Sequence, residues 1–152
     1  MTDCIFCNIV AGDIPAKTLY EDEHALALLD AFPLVEGHTL VIPKSHFQHL
    51  QDMPSATAQA WFAAVHRVFW TVAPATEIAI LCLPDALPTE ELPEALTVGL
   101  HNGQAAGQAV PHVHMHLLPR FKGDGGGTLH DVVRVEDQRP LEAVHAQLQG
   151  RF

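Results

Sequence analysis

The chain has 152 residues, 48% of them hydrophobic, enough to bury a core within one domain without disulfides or repeats. Eight Lys and Arg stand against 18 Asp and Glu, a formal charge of −10, so there is no basic field to hold a long nucleic acid by counterion release. A small nucleotide is not excluded, because a few backbone N–H groups and imidazoles can bind one phosphate locally.

In chain order, MTDCIFCNIV lacks a basic segment leading into an apolar stretch and a cleavage site. No later run approaches the roughly 18 apolar residues of a membrane span. Three cysteines, two of them as Cys4-x-x-Cys7, are an odd number for a disulfide framework and suit a reducing compartment. These features lead us to expect a cytoplasmic protein with no membrane partner. Residues 18–30, TLYEDEHALALLD, read as two short strands around a polar turn at Glu21-Asp22-Glu23, with Asp30 ending the second. After Pro33 and Gly37, the β-branched run Thr39 to Pro43 reads as a buried strand.

Pro54 opens an alanine-rich stretch in which Trp61, Phe62, Val65, Val68, Phe69 and Val72 are spaced for one helical face. From 74 to 93 an apolar run alternates with prolines, which supports neither a long helix nor a central strand and reads as an insertion or arm. Cys82 within it has no partner motif and reads as a small core residue. Thr97 to His101 and Val113 to Pro119 read as strands, with a turn at Gly103 to Gly107 between them. Gly123 to Gly127 reads as flexible, and Leu141, Val144 and Leu148 as a short closing helix. No internal repeat divides the chain, and residues 1–152 read as a single domain.

Residues 107–120, GQAVPHVHMHLLPR, place His112, His114 and His116 at alternate positions of an apolar strand, so their imidazoles share one face. Three buried imidazoles cost free energy unless each finds a partner, which argues against a merely structural row. Zinc is the sharper competitor, but the outer two α-carbons lie roughly 13 Å apart at strand rise, too far for all three to share one ion easily. An unprotonated imidazole is instead a nucleophile able to form a covalent phosphoryl-imidazole, with neighbours that donate protons to phosphate oxygens.

HVHMH followed by Leu117-Leu118 resembles the His-x-His-x-His-apolar-apolar signature of the histidine-triad (HIT) family. Asp13-Ile14-Pro15-Ala16, Tyr20-Glu21-Asp22, Leu29-Asp30, Gly37 to Lys44 (GHTLVIPK) and Asn102-Gly103 are similar to the family's blocks, in the same order. The likeness covers residues 4–50 and 97–127, and extends to bacterial members that begin with Cys-x-x-Cys. It implies an α+β fold with an antiparallel sheet of about five strands, one long helix and a short C-terminal helix, usually as a homodimer that covers sheet edges.

The resemblance also implies roles. His114 would be the nucleophile and become nucleotidylated, His116 would bond the transferring phosphate or the leaving-group bridge, and His38 would orient the catalytic row that His112 begins. Asn102, Gln108 and the Val110 backbone would line the phosphate site, and Asp30 would accept from ribose hydroxyls. Ile5, Phe6, Ile9, Leu28, Leu29 and Leu40 match positions that enclose the base, although each could equally be core. Ala109 departs from the Ser or Thr of the eukaryotic branches, which puts substrate preference in question, and the 74–93 segment is longer than the family usually carries.

Cys4 and Cys7 leave a tetrahedral zinc two ligands short. In zinc-holding family members the missing pair is a histidine after the Pro-Lys block and the first of the triad, which here are His46 and His112. The resemblance thus implies a structural Zn²⁺ and no organic cofactor, the alternative being reduced cysteines that hold no metal.

The activity implied is hydrolysis or transfer at the α-phosphate of a purine nucleoside 5′-phosphate derivative, releasing an AMP-like mononucleotide through a His114-nucleotidyl intermediate. Candidate substrates are phosphoramidates, aminoacyl-adenylates and dinucleoside polyphosphates. A nucleotide-binding regulator with incidental turnover and a zinc-storage protein are the rival readings.

Overall fold

In the computed structural model, which describes residues 3–72, 93–133 and 139–149, one antiparallel sheet organises the chain. Its strands are Thr18–Glu21 (β1), Ala25–Leu29 (β2), Thr39–Pro43 (β3), Ala95–Gly99 (β4) and Met115–Arg120 (β5), in the order β1-β2-β3-β5-β4. Among the described residues three helices accompany it: Ile5–Val10 (α1), Ser55–Val72 (α2) and Leu141–Leu148 (α3). The α+β class, the strand number and both expected helices are as the sequence implies. Of the segment Pro74 to Pro93 only Pro93 lies within the described residues; the rest, Cys82 included, falls among residues 73–92, outside them.

The β1–β2 turn forms where the polar triplet predicts it, because the Asp22 carboxylate accepts the backbone N–H groups of His24 and Ala25 at 2.8 Å each. The sheet is apolar on both faces. On one, Ala25, Ala27, Val41, Val113, Met115 and Leu117 pack against Trp61, Ala64, Val65 and Val68 of α2. On the other, Leu26, Leu28, Leu40 and Ile42 pack with Cys4 and Phe6 around α1.

Several expectations shift. α2 buries the stripe Trp61, Ala64, Val65, Val68, whereas Phe62 is 44% exposed; one residue along a helix turns about 100°, which carries Phe62 off the stripe. α3 forms as expected but buries none of its residues. The strand expected at Thr97 to His101 is displaced to Ala95–Gly99, and the one expected from Val113 begins at Met115. Extending the β3–β5 register would set Val113 opposite Pro43, which has no N–H to offer a ladder. Val113 instead donates its N–H to the Phe47 carbonyl at 2.7 Å.

Arg120 ties to the glycine run that follows β5. Arg120 donates to Asp124 from Nε (2.6 Å) and a terminal nitrogen (2.8 Å), and to the carbonyls of Gly126 and Gly127. This fork holds the Asp124 carboxyl well below its usual range.

Candidate active site and metal centre

Although His112 and His114 precede β5, the alternation of HVHMH persists. Val113, Met115 and Leu117 enter the α2 core, and the three histidines face the other way. Phe6 packs edge-on against His112 and His114, at ring distances of 5.7 and 5.2 Å, and His114 meets His116 at 4.9 Å. Each ring takes a different partner.

His114 Nδ1 lies 2.7 Å from the His112 carbonyl. A carbonyl only accepts, so Nδ1 carries the proton and, in the neutral ring, Nε2 carries the lone pair. Burial pushes His114 below the ordinary imidazole value, against the pull of that hydrogen bond, and so favours the neutral ring.

His116 is oriented from behind. The Leu34 N–H donates to His38 Nδ1 at 3.2 Å, which places the proton of a neutral His38 on Nε2. That nitrogen lies 2.9 Å from His116 Nδ1 and donates to it. His116 then holds its own proton on Nε2, which is buried and has no hydrogen-bond partner among the described residues. Burial, with His114, His38 and His101 nearby, pushes His116 down to about 4, and burial likewise lowers His38. Asp30 Oδ2 lies 3.5 Å from His38 Nδ1, while Oδ1 accepts from the Phe32 N–H. Gly37, just before His38, has φ +78, and a Cβ there would meet Pro119 at 3.2 Å. Glycine therefore suits both the turn and the close approach.

The other sequence-assigned residues divide. Asn102 and Gln108 are engaged in holding loops. Asn102 accepts from the Leu50 N–H and donates to Gln51, whereas Gln108 accepts from the Gly103 N–H and donates to the Gln48 carbonyl. Val110 and Ile9 lie at the edge of the α1 cluster, with Phe6, Leu28 and Leu40 buried inside it. Ile5 and Leu29 are exposed.

His101 had no sequence-based role, yet its ring lies 5.4 Å from that of His116. The signal for it is the β4–β5 register. Gly99 pairs with His116, so two residues further on the extension sets His101 opposite His114.

Cys4, Cys7, His46 and His112 bring one ligand atom each to within 4.8 Å of one another. His112 Nε2 donates to the Pro43 carbonyl at 2.9 Å, leaving Nδ1 bare and 3.4 and 3.6 Å from the two sulfurs. His46 Nδ1 lies 3.3 Å from Cys7 Sγ. A tetrahedral zinc with ordinary Zn–S and Zn–N bonds has S···N edges of about 3.6 Å, so the donor set fits. Burial pushes His112 down to about 4, which keeps Nδ1 available as a ligand. The cluster opens to solvent through a cavity of about 380 Å³ bordered by Asp3 and Pro111, an entry path for an ion.

An antiparallel sheet that presents a row of three histidines defines a histidine-triad domain. The HIT domain model matches residues 11–123, and the chain belongs to the HIT family. Among solved structures, a HIT family member from Bacillus subtilis is 36% identical with a TM-score of 0.77, covering 99% of this chain and 98% of that one. A Zn-bound histidine triad family protein from Mycobacterium smegmatis is 37% identical with a TM-score of 0.64, covering 81% of this chain and 78% of that one. Adenylylsulfatase HINT3 of Arabidopsis thaliana is 34% identical over 122 residues, 80% of this chain and 54% of that protein. Among the described residues, no helix is long and apolar enough to cross a membrane.

Proposed function

We propose that the protein is a nucleotidyl hydrolase or transferase acting at the α-phosphate of a purine nucleoside 5′-phosphate derivative. The observation that carries this reading is the proton arrangement along the row. A bare Nε2 on His114 stands beside a protonated Nε2 on His116 that has no partner among the described residues.

His114 Nε2 attacks phosphorus and forms an N–P bond as the bond to the leaving group breaks, the electron pair departing with that group. His116 Nε2–H donates to the phosphate or the bridge, where charge develops. Water, or another acceptor, then cleaves the N–P bond and frees the mononucleotide. Asp30 accepts from the ribose, and the exposed Ile5 and Leu29 border the base with Phe6, Ile9, Leu28 and Leu40 beneath. The backbone near Val110 faces the phosphate. A name such as adenylylsulfatase on one relative is consistent with adenylyl chemistry in this family.

Zinc held by Cys4, Cys7, His46 and His112 would neutralise two thiolates and tie α1 to the segment that positions His114. Among the described residues β1 and β4 are the sheet edges, which supports a homodimer that covers one of them.

The reading is tested by AMP release from adenosine 5′-phosphoramidate. Wild type should turn over, His114→Ala should lose all turnover, and His116→Gln should fall by about a hundredfold or more. Nucleotide binding without turnover in the wild type would establish the regulator instead.

A further inference from the structure

The ring of His101 is held against the row without being buried in it. It lies 5.4 Å from His116, tilted by 58°. A Cβ built on Gly107, which has φ +94, would touch this ring at 3.8 Å, so the ring lies over the backbone turn that leads into residues 108–110. Its position is thus set from two sides, by the triad strand and by the loop beneath it. His38, His112 and His114 are buried and His116 is half-buried, but His101 is exposed. An exposed imidazole keeps its hydration when it carries a proton, whereas the buried ones would lose it.

Three of the Lys and Arg side chains are already engaged with other groups. Lys44 pairs with Glu21 at 2.7 Å, Arg67 lies over Tyr20, and Arg120 is engaged with Asp124. Charge on His101 is felt by both His114 and His116, opposing their protonation, and Asp30 acts on both in the other sense. His114 and His38 complete the set of titratable groups acting on His116.

We propose that His101 contacts the departing group of the substrate and selects leaving groups that carry negative charge, such as a polyphosphate end, over neutral amines. This inference rests on the reading of His114 as nucleophile. When the N–P bond forms on His114 Nε2, the bond from phosphorus to the bridging oxygen breaks and its electron pair leaves with the polyphosphate fragment. The negative charge gained by that fragment meets the N–H of His101. An amine leaving group takes the electron pair of the P–N bond together with a proton from His116 Nε2–H, departs neutral and draws less from the contact.

The test is the ratio of kcat/KM for diadenosine tetraphosphate to that for adenosine 5′-phosphoramidate, measured for wild type, His101→Gln and His101→Lys. A charge-assisted contact predicts that the ratio falls about tenfold or more in His101→Gln and is largely restored in His101→Lys. A purely structural role lowers both substrates together, and an unchanged ratio in His101→Gln overturns the proposal. A wild type that turns over only the phosphoramidate overturns it as well. Intact mass separates the two levels of failure. A nucleotidyl adduct on wild type together with an unchanged ratio removes the role of His101 alone, whereas no adduct and no turnover removes the nucleophile and this inference with it.

Discussion

His38 Nε2 and His116 Nδ1 lie 2.9 Å apart, and this contact passes the tautomer that Leu34 sets on His38 on to His116. The relay starts at the Leu34 N–H and ends at an N–H of His116 that has no protein partner among the described residues. Replacing His38 by Ala should therefore release the His116 tautomer while leaving its ring in place. Nitrogen-correlated NMR of the imidazoles should change from one His116 tautomer to a mixture, with kcat lower by about tenfold or more and stability lower by about 1–3 kcal/mol for the orphaned acceptor. A single unchanged tautomer with full activity would refute the relay.

Metal content should follow the four clustered donors and not the nucleophile. Elemental analysis should find zinc in the wild type and in His114→Ala, and little in Cys4→Ser or His46→Ala. A chelator should lower Tm, since the site joins the start of α1 to His112, the first histidine of the triad. Zinc lost on replacing His114 but kept without Cys4 would place the metal on the triad instead.

Acid should weaken the fold partly through His116. Its folded value is about 4 against an ordinary 6.5, so between those values the unfolded chain takes up a proton that the folded chain refuses. The stability contributed is fully present above about pH 6.5 and is lost as pH falls towards 4. Calorimetry should show a larger drop in Tm from pH 7 to pH 5 for wild type than for His116→Gln. Equal drops would mean that His116 is not the group responsible.

The helix stripe yields a packing test. Leu117 is fully buried under α2, and Leu117→Ala should cost about 2–5 kcal/mol in urea unfolding. Phe62, 44% exposed, should cost far less on truncation despite its larger side chain. The opposite order would put Phe62 back on the buried face.

The alternation that places three imidazoles on one side was legible in HVHMH, because a period of two survives even where the ladder stops short. Cys4-x-x-Cys7 was legible as a ligand pair from its spacing, but His46 and His112 only through family likeness, since Cys4 and His112 meet across more than a hundred residues. What escaped was tertiary in origin. The late start of β5 follows from Pro43 on a neighbouring strand, and the tie between Asn102 and the turn at Leu50 leaves no local pattern. His101 next to Asn102 went unnoticed for the same reason. Its place opposite His114 emerges only from the pairing of Gly99 with His116.

The most direct test of the account is intact mass of the protein quenched without acid during turnover of an adenosine phosphoramidate. A nucleophilic His114 predicts a transient species carrying one adenylyl group, mapped to His114 and missing from His114→Ala. Turnover in which no adduct accumulates even after rapid quenching, or an adduct that persists in His114→Ala, would contradict it.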